Sequence, residues 1–209
     1  MPELKTRSNN EEDVAAALML VWRDYLPDIP GLDWGSFTGD TADALIEPLA
    51  RAYSDAANNL AAERGIILDQ DVLASSARDW ATLHAGELAT ELTLTTQRDF
   101  ANVGETADVT QQERLAALLA ILGLTRLESI AITEVTGAIS AGEQQAAKDY
   151  ELETDTTLRA IWHTEEDGRV CEICEPLDGT GVEIYGMVSV TGPPAHPNCR
   201  CWLDYEETI

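Results

Sequence analysis

The sequence predicts a mostly α-helical chain that ends in a small, cross-braced α+β unit. Three observations lead there. Apolar residues recur at spacings of three and four from residue 11 to about residue 151, the texture turns to short alternating runs near residue 157, and every cysteine lies between 171 and 201.

At 209 residues, with 44% hydrophobic and 24% charged residues, the chain is long enough for one sizeable core, or one core with an appendage, and is too apolar for default disorder. We divide it into a helical N-terminal region, 1–108, and a C-terminal domain, 109–209, whose β-rich tail covers about 157–205.

Residues 11–26, "EEDVAAALMLVWRDYL", form a first helix, with Ser8, Asn9 and Asn10 as candidate caps. "PDIPGLDWGSFTGD" interrupts it, being rich in proline and glycine. A second helix is expected over 41–64, where Ala44, Leu45, Leu49, Ala52, Tyr53 and Leu60 share a face, with Pro48 kinking or breaking it near Glu47. Residues 70–100 continue in helical style, weakened by the threonines of "ELTLTTQ", and "ANVGETADV" reads as a linker.

Over 110–123, Thr110 and Glu113 stand in capping-box register and Gly123 occupies a C-cap position. The next helix spans about 127–151, and its Gly137, Ala138, Ala141 and Gly142 permit close packing. Beyond it "LRAIWHT" alternates as a strand, Asp178-Gly179 is a hairpin-type turn, and "GVEIYGMVSV" reads as another short strand.

Cys171-x-x-Cys174 has the spacing of a zinc knuckle, and His196, Cys199 and Cys201 follow on a returning segment stiffened by Pro193, Pro194 and Pro197. Five candidate ligands face four tetrahedral positions. Either His196 with Cys199, or Cys199 with Cys201, completes the site. A structural Zn²⁺ suits so small a unit, because a metal staple replaces the core it lacks. Disulfide bonding is the competing use of the thiols, disfavoured because the N-terminus lacks the apolar core of an export signal. The fold class is therefore mostly α with a small C-terminal zinc-stapled α+β unit.

His163-Thr164-Glu165 ahead of the cysteine pair superficially matches the zinc-deaminase pattern, but only five residues separate Glu165 from Cys171, and Val170 stands where that pattern has proline. A site filled by protein sulfur and nitrogen leaves no position for a reactive water. Catalytic residues are expected to be none. Glu165, Glu166 and Asp167 read as a solvated loop, Arg200 as a charge offsetting thiolates, Trp162 and Trp202 as cover for the metal, and His84 as a surface or capped core histidine.

Thirteen basic against 38 acidic residues give a net charge of −25, which repels phosphate backbones and argues against sequence-specific nucleic-acid binding. No apolar run reaches the roughly 18 residues of a membrane span.

Taken in order, Trp162, Thr164, Asp167, Cys171, Cys174, Leu177, Gly179, Pro193, Pro194, His196, Cys199, Arg200 and Cys201 resemble the C-terminal pattern of the phage head morphogenesis family, the minor head proteins similar to protein F of phage Mu. Thr133 and Glu134 resemble that family's Thr-Glu pair on the preceding helix. The resemblance covers about 110–205. It implies a minor capsid protein of low copy number that acts in procapsid assembly near the portal, enters the virion head or assists DNA ejection, and has no catalytic residues. Its expected partners are portal, scaffold or major capsid protein, with self-association also open. Its expected location is the host cytoplasm during assembly and the procapsid or virion head thereafter. The alternative is a metal-dependent hydrolase or deaminase, or a toxin-linked module; a host accessory zinc-binding interaction protein is a third reading.

Overall fold

The computed structural model describes residues 2–25, 31–104, 110, 113, 116, 123–165 and 170–208. Among the described residues, four long helices, α1 (Pro2–Tyr25), α2 (Trp34–Arg64), α3 (Gln70–Gly104) and α4 (Leu124–Thr154), lead into strand β1 (Thr157–His163). A 3₁₀ turn (Glu175–Leu177), strand β2 (Thr180–Gly181), a one-turn helix α5 (Val182–Tyr185) and strand β3 (Trp202–Thr208) complete the chain. The architecture is mostly helical with a small C-terminal three-stranded antiparallel sheet, as the sequence predicts.

Helix α2 is the hub, packing against α1, α3 and α4. It begins seven residues before the expected Thr41, because the Asp33 carboxylate accepts hydrogen bonds from the N–H groups of Gly35 (3.0 Å) and Ser36 (3.3 Å) and caps the helix. Buried Phe37 then rewards the extra turns despite two glycines. Nor does Pro48 break the helix: it is buried with Leu45 and Leu49, and their packing offsets the backbone hydrogen bond that proline cannot make.

At the other end Gly65 (φ 73°) closes a Schellman cap, its N–H bonding to Ala62 O and that of Ile66 to Ala61 O. Helix α3 continues through the threonine-rich stretch, where buried Thr93 returns its hydroxyl to Ala89 O and the backbone remains helical. Its last residues, 101–104, extend the helix into the stretch that reads as a linker.

Thr110 and Glu113 make the expected capping box, Thr110 N donating to the Glu113 carboxylate (2.8 Å) and Glu113 N to the Thr110 hydroxyl (3.3 Å). Most of the helix expected over 110–123, and Asp167 in the later loop, lie outside the described residues.

The sheet order is β2-β1-β3, with β1 pairing β3 from Thr157↔Thr208 to His163↔Trp202. The turn at Asp178-Gly179 forms, with Gly179 at φ 70° and its N–H bonded to Trp162 O. The strand expected over "GVEIYGMVSV" does not form beyond Gly181. Instead a helical turn and two further turns swing Tyr185 inward onto Trp162, with ring centroids 5.6 Å apart. Burial of Tyr185 overrides the β-propensity of its neighbours.

The described residues form two core clusters. The first joins Val14, Leu18 and Trp22 of α1 to Leu45 and Leu49 of α2 and Leu127 and Val135 of α4. The second joins Tyr53, Ala57 and Leu60 of α2 and Ala146 and Ala147 of α4 to Trp162, Cys174, Leu177, Cys199, Cys201 and Leu203. The β-rich tail is thus built into the helical body.

Candidate metal centre

The C-x-x-C segment bends into a tight turn because the N–H groups of Cys174 and Glu175 both bond to Cys171 O, at 3.1 and 2.9 Å. That places both sulfurs on one side. The returning chain turns at Asn198, whose positive φ of 63° suits asparagine, while Cys199 N donates to His196 O.

His196 Nδ1 lies 2.7 Å from Pro197 O, which can only accept, so the proton sits on Nδ1. This leaves the Nε2 lone pair facing the Cys171 and Cys174 sulfurs, each 3.0 Å away. Cys174 Sγ is 3.9 Å from Cys199 Sγ. Two overlapping donor groups follow, Cys171/Cys174/His196 and Cys174/Cys199/Cys201, with donor atoms in each group within 4.8 Å of one another. All four cysteines are free thiols.

All five sequence-predicted ligands are therefore brought together, with Cys174 common to both groups. The donor chemistry fits a closed metal site of sulfur and imidazole. The crowding also shows in the thiols' acidity. Cys199 is held down at about 5, first by the hydrogen bond from Cys201. Cys174 is pushed up to about 12 by burial and then by the charge of Cys199, and Cys201 is pushed up by its bond to Cys199 and by burial. Buried thiols whose ionisation is opposed by burial and by one another's charge are ones that a bound cation would ionise.

Around the donors stands a supporting layer. The hydroxyl of buried Thr136 donates to Cys199 O (2.8 Å) and accepts from the Arg7 guanidinium (2.6 Å), whose other arm reaches Arg200 O at 3.4 Å. Asn198 N donates to the Thr133 hydroxyl. Trp162, fully buried, packs in the same core cluster as Cys174, Cys199 and Cys201, while Trp202 is 40% exposed and stacks on His163 at 4.7 Å. Only the first of the two tryptophans covers the site as expected.

His163 belongs to neither donor group. Glu165, Thr164, Asn198 and Arg200 line, together with all five donors, a cavity of about 350 Å³. Upstream, His84 is stacked on Trp80 at 4.7 Å and bonds Glu134 at 2.5 Å, so the Thr-Glu pair divides its work: Thr133 reaches the metal segment, and Glu134 ties α4 to α3. Partners fifty residues apart carry no local sequence signal.

The model of the family described as phage Mu protein F like protein matches residues 81–204, more than half of the chain. The chain belongs to the phage Mu protein F-like family. The match takes in the second half of α3, α4, β1, β2 and all five donors, and it starts upstream of the recognised motifs. Membership in the phage Mu F-like family points to phage head morphogenesis and to other head proteins as the general class of partner. No curated protein and no solved structure matches the chain. Among the described residues, no helix is long and apolar enough to cross a membrane.

Proposed function

We propose that this chain is a minor head protein of a tailed phage that acts in procapsid assembly near the portal and carries one structural zinc. Family membership supports the head role. The observation that carries the zinc is the five-donor cluster on a core shared with α2 and α4, where a metal would hold the tail to the helical body.

Cys171, Cys174, His196 and Cys199 are the ligands in this reading. The 3.9 Å between Cys174 and Cys199 is close to the ~3.8 Å edge of a tetrahedron with ~2.3 Å zinc–sulfur bonds. Cys201, whose sulfur lies within 4.8 Å of those of Cys174 and Cys199, is the supporting fifth group. The function is binding: rigid helices present acidic surface to portal, scaffold or capsid protein, and no residue is assigned a catalytic role.

Zinc-edge X-ray absorption on chain purified without chelators tests the site. Three sulfurs and one nitrogen with no oxygen neighbour is the expected shell; absent zinc or a bound water would overturn it. Quantitative mass spectrometry of purified procapsids tests the role, with the chain present at low copy beside the portal protein. Its absence from procapsids would sink the head-protein reading.

A further inference from the structure

The segment after β2 breaks the surface pattern of the rest of the chain. Val182 (54% exposed), Ile184 (42%), Met187 (79%), Val188 (50%) and Val190 (79%) all point their side chains to solvent within nine residues. No Asp, Glu, Lys or Arg occurs between Glu183 and Arg200, in a chain that is 24% charged. An apolar concentration of this kind on a soluble surface marks an interaction site.

The segment is built to keep its shape. Tyr185 anchors it in the core at 4% exposure. Turn bonds run from Gly186 N to Val182 O, Met187 N to Ile184 O and Val188 N to Tyr185 O, at 2.9, 3.1 and 2.9 Å. Its far end is pinned by Gln144 of α4, whose amide donates to Thr191 O at 2.7 Å. Gly192 follows at φ 77°, with Ser140 Oγ and Leu203 Cδ1 closing the space a Cβ would need. A knob ordered in advance loses little entropy on binding.

Charge selects the occupant. The chain carries a net −25, so two copies repel; exposed Glu172, Glu175 and Asp178 precede the knob in sequence, and the one charged residue within it, Glu183, is paired with Arg159. We propose that residues 182–190 dock into an apolar groove on a different head protein, one whose groove is bordered by Lys and Arg. Apolar burial supplies the affinity, and the acidic flank supplies orientation and rejects a second copy. This proposal rests on the head-protein reading above.

The test places a photo-reactive p-benzoylphenylalanine at Val190 in the full chain and irradiates procapsids that have incorporated it. The expected result is a cross-link to a peptide of another head protein with apolar residues flanked by Lys or Arg. Cross-links only to a second copy, only to residues 110–122 of the same chain, or to nothing overturn the proposal. A Met187→Ser, Val190→Ser double variant should keep its zinc content and helix signal yet enter procapsids at least 10-fold less; unchanged incorporation also overturns it. The amount of wild-type chain in the same particles separates the two ideas, since its absence defeats the head-protein reading itself.

Discussion

The backbone N–H of Asn198 donates to the hydroxyl oxygen of Thr133 at 2.9 Å, tying the left-handed turn of the metal segment to the middle of α4. The same hydroxyl spends its own proton on Ser129 O at 2.7 Å, so its lone pair is aimed at the loop. Thr133→Val keeps the shape and removes the acceptor. Zinc affinity should fall about 10-fold, the lower end of what outer-layer partners of metal sites contribute. Competition with a chromogenic chelator measures it, and an unchanged affinity would show that the turn holds itself.

The surplus of donors leads to a second expectation. Cys171→Ser and Cys174→Ser should each lose the zinc and, with it, the order of the tail, because structural zinc contributes on the order of 10 kcal/mol of apparent binding free energy. Helix signal in the far-ultraviolet should largely persist, since α1 to α4 have a core of their own. The near-ultraviolet signal of buried Trp162 should collapse. Cys201→Ser should retain one zinc per chain, and loss of the metal in that variant, with retention in Cys199→Ser, would exchange the roles of the two residues.

These two predictions differ in how far the sequence could have led to them. The five donors were legible because ligand chemistry restricts residue type and spacing, so Cys171, Cys174, His196, Cys199 and Cys201 stand out in the bare chain. The long helices were legible from their periodicity but the start of the first was not: it begins at Pro2, so Ser8, Asn9 and Asn10 lie inside it and do not cap it. What supports the donors was not: Arg7, Thr133 and Thr136 meet the metal segment across 193, 65 and 63 residues, and nothing local marks such pairs. The early start of α2 was readable in principle from Asp33 with Ser36 three residues on, but Gly35 and Gly39 masked it. The helical turn at 182–185 was not readable, because only the buried position of Tyr185 sets it against its β-branched neighbours.

Asp33 gives a pH signature. The Ser36 hydroxyl, then the backbone N–H groups of Ser36 and Gly35, hold its carboxyl below the ordinary range. A carboxyl whose folded pKa is depressed adds stability above its unfolded value, about 3.9, and loses that stability as pH falls through the lower folded value. Asp33→Asn keeps a good N-cap without the titration. The Tm of the wild-type chain should therefore fall more steeply than that of the variant below about pH 4, as followed by circular dichroism. Parallel curves would mean that the cap makes no difference to the folded state's proton affinity.

Two glycines of α4 make a matched pair. A Cβ on Gly142 would drive into the carbonyl of Tyr53, so α2 and α4 touch backbone to backbone there, and α2 would have to move away. That contact lies beside the shared core cluster, where Tyr53 packs with Ala146 and Ala147. Gly142→Ala should cost about 1–3 kcal/mol, the scale of an overpacked core. At Gly137 the added carbon would meet Pro194 Cδ at 3.5 Å, an ordinary contact. Gly137→Ala should therefore be neutral or stabilise by up to about 1 kcal/mol through helix propensity alone. Both substitutions add the same methyl group to the same helix, so propensity cancels between them. Urea unfolding that ranks Gly142→Ala below Gly137→Ala isolates the α2–α4 contact, and equal midpoints would show that the two helices do not meet at Tyr53.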